Sequence, residues 1–187
     1  MSLLIILDAF ALVALIAIVL AFLVYNNLIR LRNNVTRAWS NVDVLLEKRH
    51  DLISNLIVVV KEYEQYEKTL LFQLTQIRDS WNAVKDNGDI SSKIETSSSI
   101  SGSMKTLFAD VENYPDLKAN TTFTELQKAL VEVENEIADS RQFYNDSIKL
   151  YNTNIAVVPY SLFANVLHYA PMPYFGVLES DKGNVVL

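Results

Sequence analysis

A long uncharged stretch near the N-terminus constrains this chain more than any other feature. Ala9 to Ile29 are 21 consecutive residues without Asp, Glu, Lys or Arg, and nearly all of them are Ala, Leu, Ile, Val or Phe. As a helix they would rise about 31 Å, the hydrocarbon thickness of a bilayer. No basic residue precedes them, unlike in a signal peptide. The stretch predicts one permanent membrane-spanning helix; the alternative is a buried core helix.

The charges that flank this stretch predict its orientation. Arg30, Arg32 and Arg37 follow it before the first acidic residue, Asp43, whereas the preceding head carries only Asp8. The positive-inside rule therefore predicts a short exterior head within residues 1–29 and a C-terminal domain in the cytoplasm. The three arginines are also candidates to contact lipid headgroups at the membrane interface, and the simpler alternative is that they only set the topology.

The few helix-breaking residues point to an all-α fold. The 187 residues include four Gly and four Pro, and neither type occurs before Gly88. This scarcity excludes a β-sandwich or a doubly wound fold, which need frequent turns. The absence of cysteine excludes a disulfide scaffold and a thiolate metal site.

Hydrophobic residues recur with a 3.5-residue repeat after the apolar stretch. Twelve of the fourteen positions in this repeat are apolar or aromatic. The positions are Trp39, Val42, Leu46, Arg49, Ile53, Leu56, Val60, Tyr63, Glu67, Leu70, Leu74, Ile77, Trp81 and Val84. The repeat predicts one long helix from Arg30 to Lys85 with coiled-coil-like packing, either within a bundle or between subunits. This helix is expected to continue the membrane span as one rod.

The rest of the chain predicts shorter helices and loops. Ser91 to Ser103 is low in complexity and reads as a loop or a frayed helix start. A helix is expected over Phe123–Val158, opened by a capping box of Thr122 and Glu125. We therefore predict an elongated antiparallel helical bundle over residues 30–175, followed by a flexible tail over 176–187.

Short motifs in this order resemble the LemA family. They are Arg37-Ala38-Trp39-Ser40, Asp43-Val44, Asp51-Leu52-Ile53, Asn55-Leu56, Tyr114-Pro115-Asp116-Leu117, Leu126-Gln127, Arg141, Tyr144-Asn145, Tyr151-Asn152, Pro159 and Tyr174-Phe175. The resemblance extends from the apolar stretch to about Phe175. Ser54 replaces the usual proline, and Ser140 replaces a common alanine.

The resemblance implies a bacterial single-pass protein of the inner membrane with a cytoplasmic helical bundle. The molecular function of the family is uncertain. Its genes are sometimes found near membrane metallopeptidases, which implies a membrane protein partner of that kind.

Catalytic patterns are missing from the sequence. His50 and His168 are the only histidines, and the four glycines form neither a phosphate-binding loop nor a nucleophile elbow. The acidic stretch Glu132–Glu136 lacks the glycine-centred loop of a calcium site and reads as a solvated helix face. We expect no enzyme activity, metal or cofactor, and the net charge of −6 argues against nucleic-acid binding.

Polar residues on the repeat are the candidate interhelical or interface residues. Arg49 and Glu67 fall on core positions, where they either specify register and oligomeric state or extend to water along their stems. The other candidates match the family pattern and either form interhelical hydrogen bonds or bind a partner; they are Asp43, Asp51, Asn55, Arg141 and Asn145.

Together these patterns favour a membrane-anchored, non-enzymatic scaffold or adaptor that self-associates or docks membrane partners. The alternative is an envelope-stress or signalling component that couples the exterior head to cytoplasmic or protease partners. An enzyme of an unrecognised type is the third hypothesis.

Overall fold

The computed structural model of the chain describes residues 2–62, 68–86 and 88–176. Within these ranges the chain forms six α-helices, a short 3-10 turn at Val111–Asn113 and no strand. The helices are α1 (Ser2–Lys61), α2 (Lys68–Asn82), α3 (Ile90–Asp110), α4 (Pro115–Lys118), α5 (Thr121–Ala156) and α6 (Tyr160–Val166). The predicted all-α bundle is confirmed. Of the predicted tail over 176–187, all but Gly176 lies outside the described residues.

The chain divides into two compact units, and α1 and α5 contribute to both. Residues up to 38 together with 145–172 form one unit, named here the N-terminal unit. Residues 39–144 together with those from 173 onward form the other, named the bundle unit.

The first part of α1, in the N-terminal unit, exposes apolar side chains on every side and carries one charged residue, Asp8. All side chains from Ile5 to Leu23 are exposed except Ala14 and Ala21, which are half-buried. From Val24 onward one face of the helix is buried instead, so residues 24–29, the end of the apolar stretch predicted to span the membrane, pack partly within this unit. The buried side chains of this unit are Val24, Leu28, Leu31, Val35, Ala38, Ile148, Tyr151, Ile155 and Ala164. By length and composition α1 is able to cross a membrane.

Side-chain hydrogen bonds fix the segment that follows α6 in the N-terminal unit. The Asn152 amide donates to the Met172 carbonyl at 3.0 Å and accepts from the Met172 N–H at 2.9 Å. The Tyr151 hydroxyl donates to the Ala170 carbonyl at 3.1 Å. Because both backbone groups of Met172 are paired with one side chain, the segment is held against α5 without forming secondary structure of its own.

Contacts in the bundle unit define an up-down-up-down arrangement of four helices. Near the start of the unit Trp39 of α1 contacts Tyr144 of α5, and further along α1 Arg49 contacts Glu134, so these helices are antiparallel. Asp43 and Arg49 contact Lys93 and Ser97 in the same order, so α3 runs parallel to α1.

Helix α2 runs back against α3 in this arrangement. Its C-terminal Trp81 lies next to Lys93 near the start of α3. Its Gln73 contacts Asp110 at the end of α3 at 3.5 Å. The order of these two contacts makes α2 and α3 antiparallel.

The predicted single helix from Arg30 to Lys85 is therefore wrong, because α1 ends at Lys61 and α2 begins at Lys68. Helix α2 runs antiparallel to α1, and its side chains Leu70, Leu74, Ile77 and Trp81 are buried within the same unit. The 3.5-residue repeat continues from α1 into α2 without interruption, so the pattern gives no sign that α1 ends at Lys61. Tyr63 and Glu67, two positions of the repeat, lie outside the described residues.

The serine-rich segment, for which the sequence leaves a loop or a frayed helix start open, is a regular helix. Helix α3 begins after Asp89, whose carboxylate accepts a hydrogen bond from the Ser92 N–H at 2.8 Å. Five side chains on one face are buried: Ile94, Ser97, Ile100, Met104 and Leu107. Low complexity misled the sequence interpretation because serine serves here as a small core residue.

Helix α5 begins earlier than the capping box predicts. The Asn120 side chain accepts a hydrogen bond from the Phe123 N–H at 2.9 Å, so Asn120, and not Thr122, is the N-cap. The helix ends at Ala156, three residues before Pro159.

Replacing Asn120 by Ala is therefore expected to lower the free energy of unfolding by about 1 kcal/mol. Thr122→Ala, the substitution that the capping-box prediction would make costly, is expected to change it by less than about 0.5 kcal/mol. Urea titration of the detergent-solubilised protein measures both. Equal losses, or a larger loss for Thr122→Ala, would place the cap at Thr122.

Candidate functional site

A buried arginine lies at the centre of the bundle unit. Arg49 is 1% exposed on α1. Its Nη1 donates to Glu134 Oε1 at 2.7 Å and to Ser101 Oγ at 3.1 Å. Its Nη2 donates to Ser97 Oγ at 3.0 Å. Three helices, α1, α3 and α5, therefore meet at one guanidinium, whose buried charge is compensated by these partners.

A second arginine shares the same serines. Arg141 Nη2 on α5 lies 3.2 Å from Ser97 Oγ and 3.4 Å from Ser101 Oγ. The Ser101 hydroxyl also lies 2.8 Å from Glu134 Oε2, to which it can donate. We call Arg49, Ser97, Ser101, Glu134 and Arg141 the polar cluster. Both serine hydroxyls accept hydrogen bonds from the arginines, and Ser101 alone also reaches the carboxylate.

The polar cluster contains two guanidinium groups and one carboxylate. Burial lowers the pKa of Arg49 below its usual value, and the charge and hydrogen bond of Glu134 oppose this effect. Burial also lowers the pKa of Arg141, with Glu134 opposing and Arg49 reinforcing the shift. Both arginines stay protonated near neutral pH because an ordinary arginine titrates far above it. Glu134 is thus the one anion between two cations in the cluster.

Aromatic rings cover Arg141 on the side of the C-terminal segment. The Arg141 guanidinium lies 4.3 Å from the Phe175 ring centroid, a cation–π distance. Trp39 lies 6.4 Å from Phe175 and 5.4 Å from Tyr144, measured between ring centroids. The Tyr144 hydroxyl donates to the Pro173 carbonyl at 3.3 Å. These contacts hold residues 173–175 against helices α1 and α5 of the bundle unit.

The buried phenol of Tyr144 gives the bundle unit a pH dependence. Burial raises its pKa from 10.0 to about 12. Between these values the unfolded chain has lost the phenol proton while the folded chain retains it, so stability falls as pH rises through this window. The loss is of order 2 kcal/mol.

Comparison of the wild-type protein with Tyr144→Phe isolates this titration. At pH 8 the variant is expected to be less stable by about 1 kcal/mol, because it lacks the hydrogen bond to Pro173. By pH 12 the variant is expected to be the more stable of the two. Ionisation of the Tyr144 phenol stabilises the unfolded state of the wild type, and the variant has no phenol at this position. Urea midpoints measured from pH 8 to pH 12 test this. Parallel curves over the whole range would contradict it.

The remaining predicted residues occupy different environments. Asp43 forms an ion pair with Lys93 at 3.0 Å in the bundle unit, whereas Asp51 and Asn55 are exposed on α1. Asn145 is half-buried in the N-terminal unit and Glu67 lies outside the described residues. The three membrane-interface candidates, Arg30, Arg32 and Arg37, are exposed on α1, and Arg32 lies 5.7 Å from the Tyr169 ring centroid.

Three members of the polar cluster were missed by sequence reasoning. Ser97 and Ser101 lie in the segment interpreted as a loop or a frayed helix start, and Glu134 lies in the acidic stretch interpreted as a solvated helix face. That interpretation is wrong for Glu134, which turns toward Arg49, and it fits Glu136, which pairs at the surface with Lys48 at 3.0 Å. The one available signal was Arg49 itself, since a core charge requires a partner on another helix.

The polar cluster is suited to structure more than to reaction. Glu134 is the one carboxylate of the cluster that reaches a serine hydroxyl, and it is engaged in the ion pair with Arg49, so the cluster lacks the base and orienting partner of an activated nucleophile. Within residues 2–62, 68–86 and 88–176 no group of three or more His, Asp or Glu is placed to hold a metal ion. The geometry supports a role in fixing which helices pack together and in which register.

The fold and the polar cluster define an all-α helical-bundle protein with a long apolar N-terminal helix. The profile of the LemA family matches residues 38–186. The chain belongs to the LemA family. The match begins after the apolar stretch and covers the whole polar cluster.

Individual relatives are distant. Magnetosome protein MamQ 2 of Paramagnetospirillum magneticum is 23% identical over 174 residues, covering 81% of this chain and 64% of that protein. Magnetosome protein MamQ of Magnetospirillum gryphiswaldense is 22% identical over 191 residues, covering 89% and 70%. Protein LemA of Metamycoplasma hominis is 25% identical over 160 residues, covering 86% and 72%.

The chain spans less than two thirds of the length of the Paramagnetospirillum relatives. None of the relatives' names indicates a catalytic activity.

Proposed function

We propose that this protein is a membrane-anchored, non-enzymatic helical scaffold that self-associates or docks a membrane partner. The observation that carries the proposal is the exposed apolar part of α1, which continues as the same helix into the bundle unit. Exposure of apolar side chains on every face of a helix is unfavourable in water. The hydrocarbon of a bilayer covers all of these faces at once.

The proposed orientation places the bundle in the cytoplasm of a bacterial cell, at the inner membrane. It rests on Arg30, Arg32 and Arg37, which are exposed on α1 beyond the apolar part. Cytoplasmic flanks carry an excess of such residues, and anionic headgroups attract each of them by about 1 kcal/mol.

The surface of the bundle unit, more than its hydrophobic repeat, is the proposed docking region. The described positions of the repeat are buried or half-buried within one chain, so they are occupied already. Large apolar side chains remain exposed on this unit at Val44, Val58, Phe72 and Val131. A second copy of the chain or a membrane protein, such as the membrane metallopeptidase that the family resemblance implies, is the proposed occupant.

Photo-crosslinking in native membranes tests the docking. A photoreactive amino acid is placed singly at Val44, Val58, Phe72 or Val131 of the full chain, with exposed charged positions Lys105 and Asp139 as matched controls. The proposal predicts a discrete protein adduct at one or more of the apolar positions and none at the controls. Mass spectrometry then distinguishes a second copy from another protein. Adducts at no position, or equally at all six, would contradict the proposal.

A signalling component is the second candidate function. It is favoured by the continuity of α1, in which one helix from Ser2 to Lys61 carries both the apolar part and Arg49. Exchange of residues 1–29 for an unrelated membrane span separates the two candidates. A scaffold keeps its crosslinking pattern and cellular effect after the exchange, whereas a signalling component loses its effect.

A further inference from the structure

A second apolar surface lies on the N-terminal unit, at the turn between α5 and α6. Five large apolar side chains within eleven residues are exposed there. We call them the corner patch: Val157, Val158, Leu162, Val166 and Leu167. Val158 and Val166 are 77% and 76% exposed, so the packing of α5 and α6 leaves both side chains open to solvent. Large apolar side chains that are this exposed and this close together in the chain are typical of a surface that contacts another apolar phase.

The corner patch belongs to a long segment without formal charge. From Leu150 to Gly176 the chain contains no Asp, Glu, Lys or Arg. The preceding part of α5 carries charges throughout, from Glu125 to Lys149. The polar residues within the segment are Asn, Ser, Thr, Tyr and His168, which suit the headgroup layer of a bilayer better than its hydrocarbon.

The position of the patch in the N-terminal unit ties it to the end of the exposed apolar part of α1. Tyr160 at the start of α6 accepts a hydrogen bond from the Asn27 amide at 2.9 Å. Asn27 follows closely on Leu23, the last residue of that apolar part. The patch therefore lies level with the point where α1 would leave the hydrocarbon.

Residues typical of a membrane interface gather at the same level. Tyr25 is exposed on α1. Tyr169, after α6, stacks beneath the Arg32 guanidinium at 5.7 Å and beside Tyr151 at 6.4 Å between ring centroids. Tyrosine and arginine are favoured where an apolar and an aqueous phase meet.

We propose that the corner patch inserts into the interfacial layer of the bilayer that α1 spans, so that the protein touches the membrane at two places. This inference rests on the proposed membrane anchoring. The occupant is the lipid surface and not another protein, because the patch and the apolar part of α1 lie in one unit, the Asn27–Tyr160 hydrogen bond joins α6 to α1 just after that part, and residues 150–176 carry no formal charge.

Site-directed spin labelling of the full chain in lipid nanodiscs tests this proposal. The chain has no cysteine, so a single introduced cysteine is labelled cleanly. The probe position is Leu162→Cys, and the controls are Ile18→Cys on the apolar part of α1 and Lys105→Cys on the bundle unit, outside the proposed docking region. Leu162 and Ile18 are 63% and 65% exposed and Lys105 is exposed as well, so none of the changes disturbs a core.

The readout is the collision rate of each label with apolar oxygen and with a water-soluble nickel chelate. The proposal predicts a several-fold higher oxygen-to-nickel ratio at position 162 than at position 105, approaching the ratio at position 18. A ratio at 162 equal to that at 105, with a high ratio at 18, would overturn the inference and leave the anchoring intact. Low collision rates with both reagents at 162 would indicate burial against protein and would also overturn it. A low ratio at 18 would refute the anchoring itself.

Discussion

Replacement of Glu134 by Gln is expected to lower the free energy of unfolding by about 3 kcal/mol. The substitution removes the one carboxylate of the polar cluster and leaves the buried Arg49 beside Arg141 without a compensating charge. We place the effect at the lower end for a broken buried ion pair, because Gln keeps a carbonyl oxygen and the Glu134 side chain is 27% exposed.

Glu136→Gln is the matched control for this prediction. It makes the same chemical change two residues further along α5. It breaks the ion pair between Glu136 and Lys48, in which both side chains are about half exposed. Surface pairs contribute between 0 and about 1 kcal/mol. Trp39 and Trp81, the only tryptophans, both lie in the bundle unit and report its unfolding in urea by fluorescence. Equal losses for the two variants would show that Glu134 behaves as a surface residue.

Arg49→Met provides the reverse test of the same cluster. The substitution removes the buried charge and fills a similar volume. Glu134 is then still compensated, because Arg141 lies nearby and the Glu134 side chain is partly exposed to water. Replacement of a buried ion by an apolar side chain of similar size is often close to neutral. We therefore expect a smaller loss than for Glu134→Gln. A larger loss would mean that the arginine, and not the charge balance, holds the helices together.

Phe175→Ala is expected to lower the free energy of unfolding by about 3 to 4 kcal/mol. The Phe175 ring is 2% exposed, contacts Trp39 and covers the Arg141 guanidinium. Truncation leaves a cavity and removes the cation–π contact in one step. Phe175→Leu keeps most of the apolar volume and is expected to cost about half as much.

Phe72→Ala is the control for this prediction, since Phe72 on α2 is 63% exposed. It is expected to change stability by no more than about 0.5 kcal/mol. The same urea titration measures all three phenylalanine variants. If Phe175→Ala costs no more than Phe72→Ala, residues 173–175 do not pack on the bundle unit.

The helices that the sequence predicts correctly are those with periodic apolar residues and no competing signal. The fold class and helix α5 follow from such periodicity, with α5 within two residues of its expected bounds. The end of α1 at Lys61 could not be predicted, because the 3.5-residue repeat continues past it without Gly or Pro. The burial of α3 could not be predicted either, because its core face includes Ser97. That serine is buried because it contacts Arg49 of another helix, and the sequence of α3 alone does not show this contact.

The sequence predicts only part of the candidate site. A charged residue on a core position identifies Arg49, because only a buried helix face makes that charge unusual. The residues that compensate it cannot be found in the same way. Glu134 stands in a run of acidic residues, and only the rotation of α5 in the packed bundle selects it over Glu132 and Glu136.

Membrane flotation tests the central claim, that α1 anchors the bundle in a bilayer. Three lysines at Leu12, Leu15 and Val19 place charges near the middle of the apolar part of α1, each at a cost of roughly 2.5 to 3.5 kcal/mol in hydrocarbon. The matched control places three lysines on exposed apolar side chains of the bundle unit, Val44, Val58 and Val131. We predict that the wild type and the control float with the membranes in 1 M NaCl and that the α1 variant stays with the soluble proteins. Flotation of all three proteins, or of none, would contradict the claim.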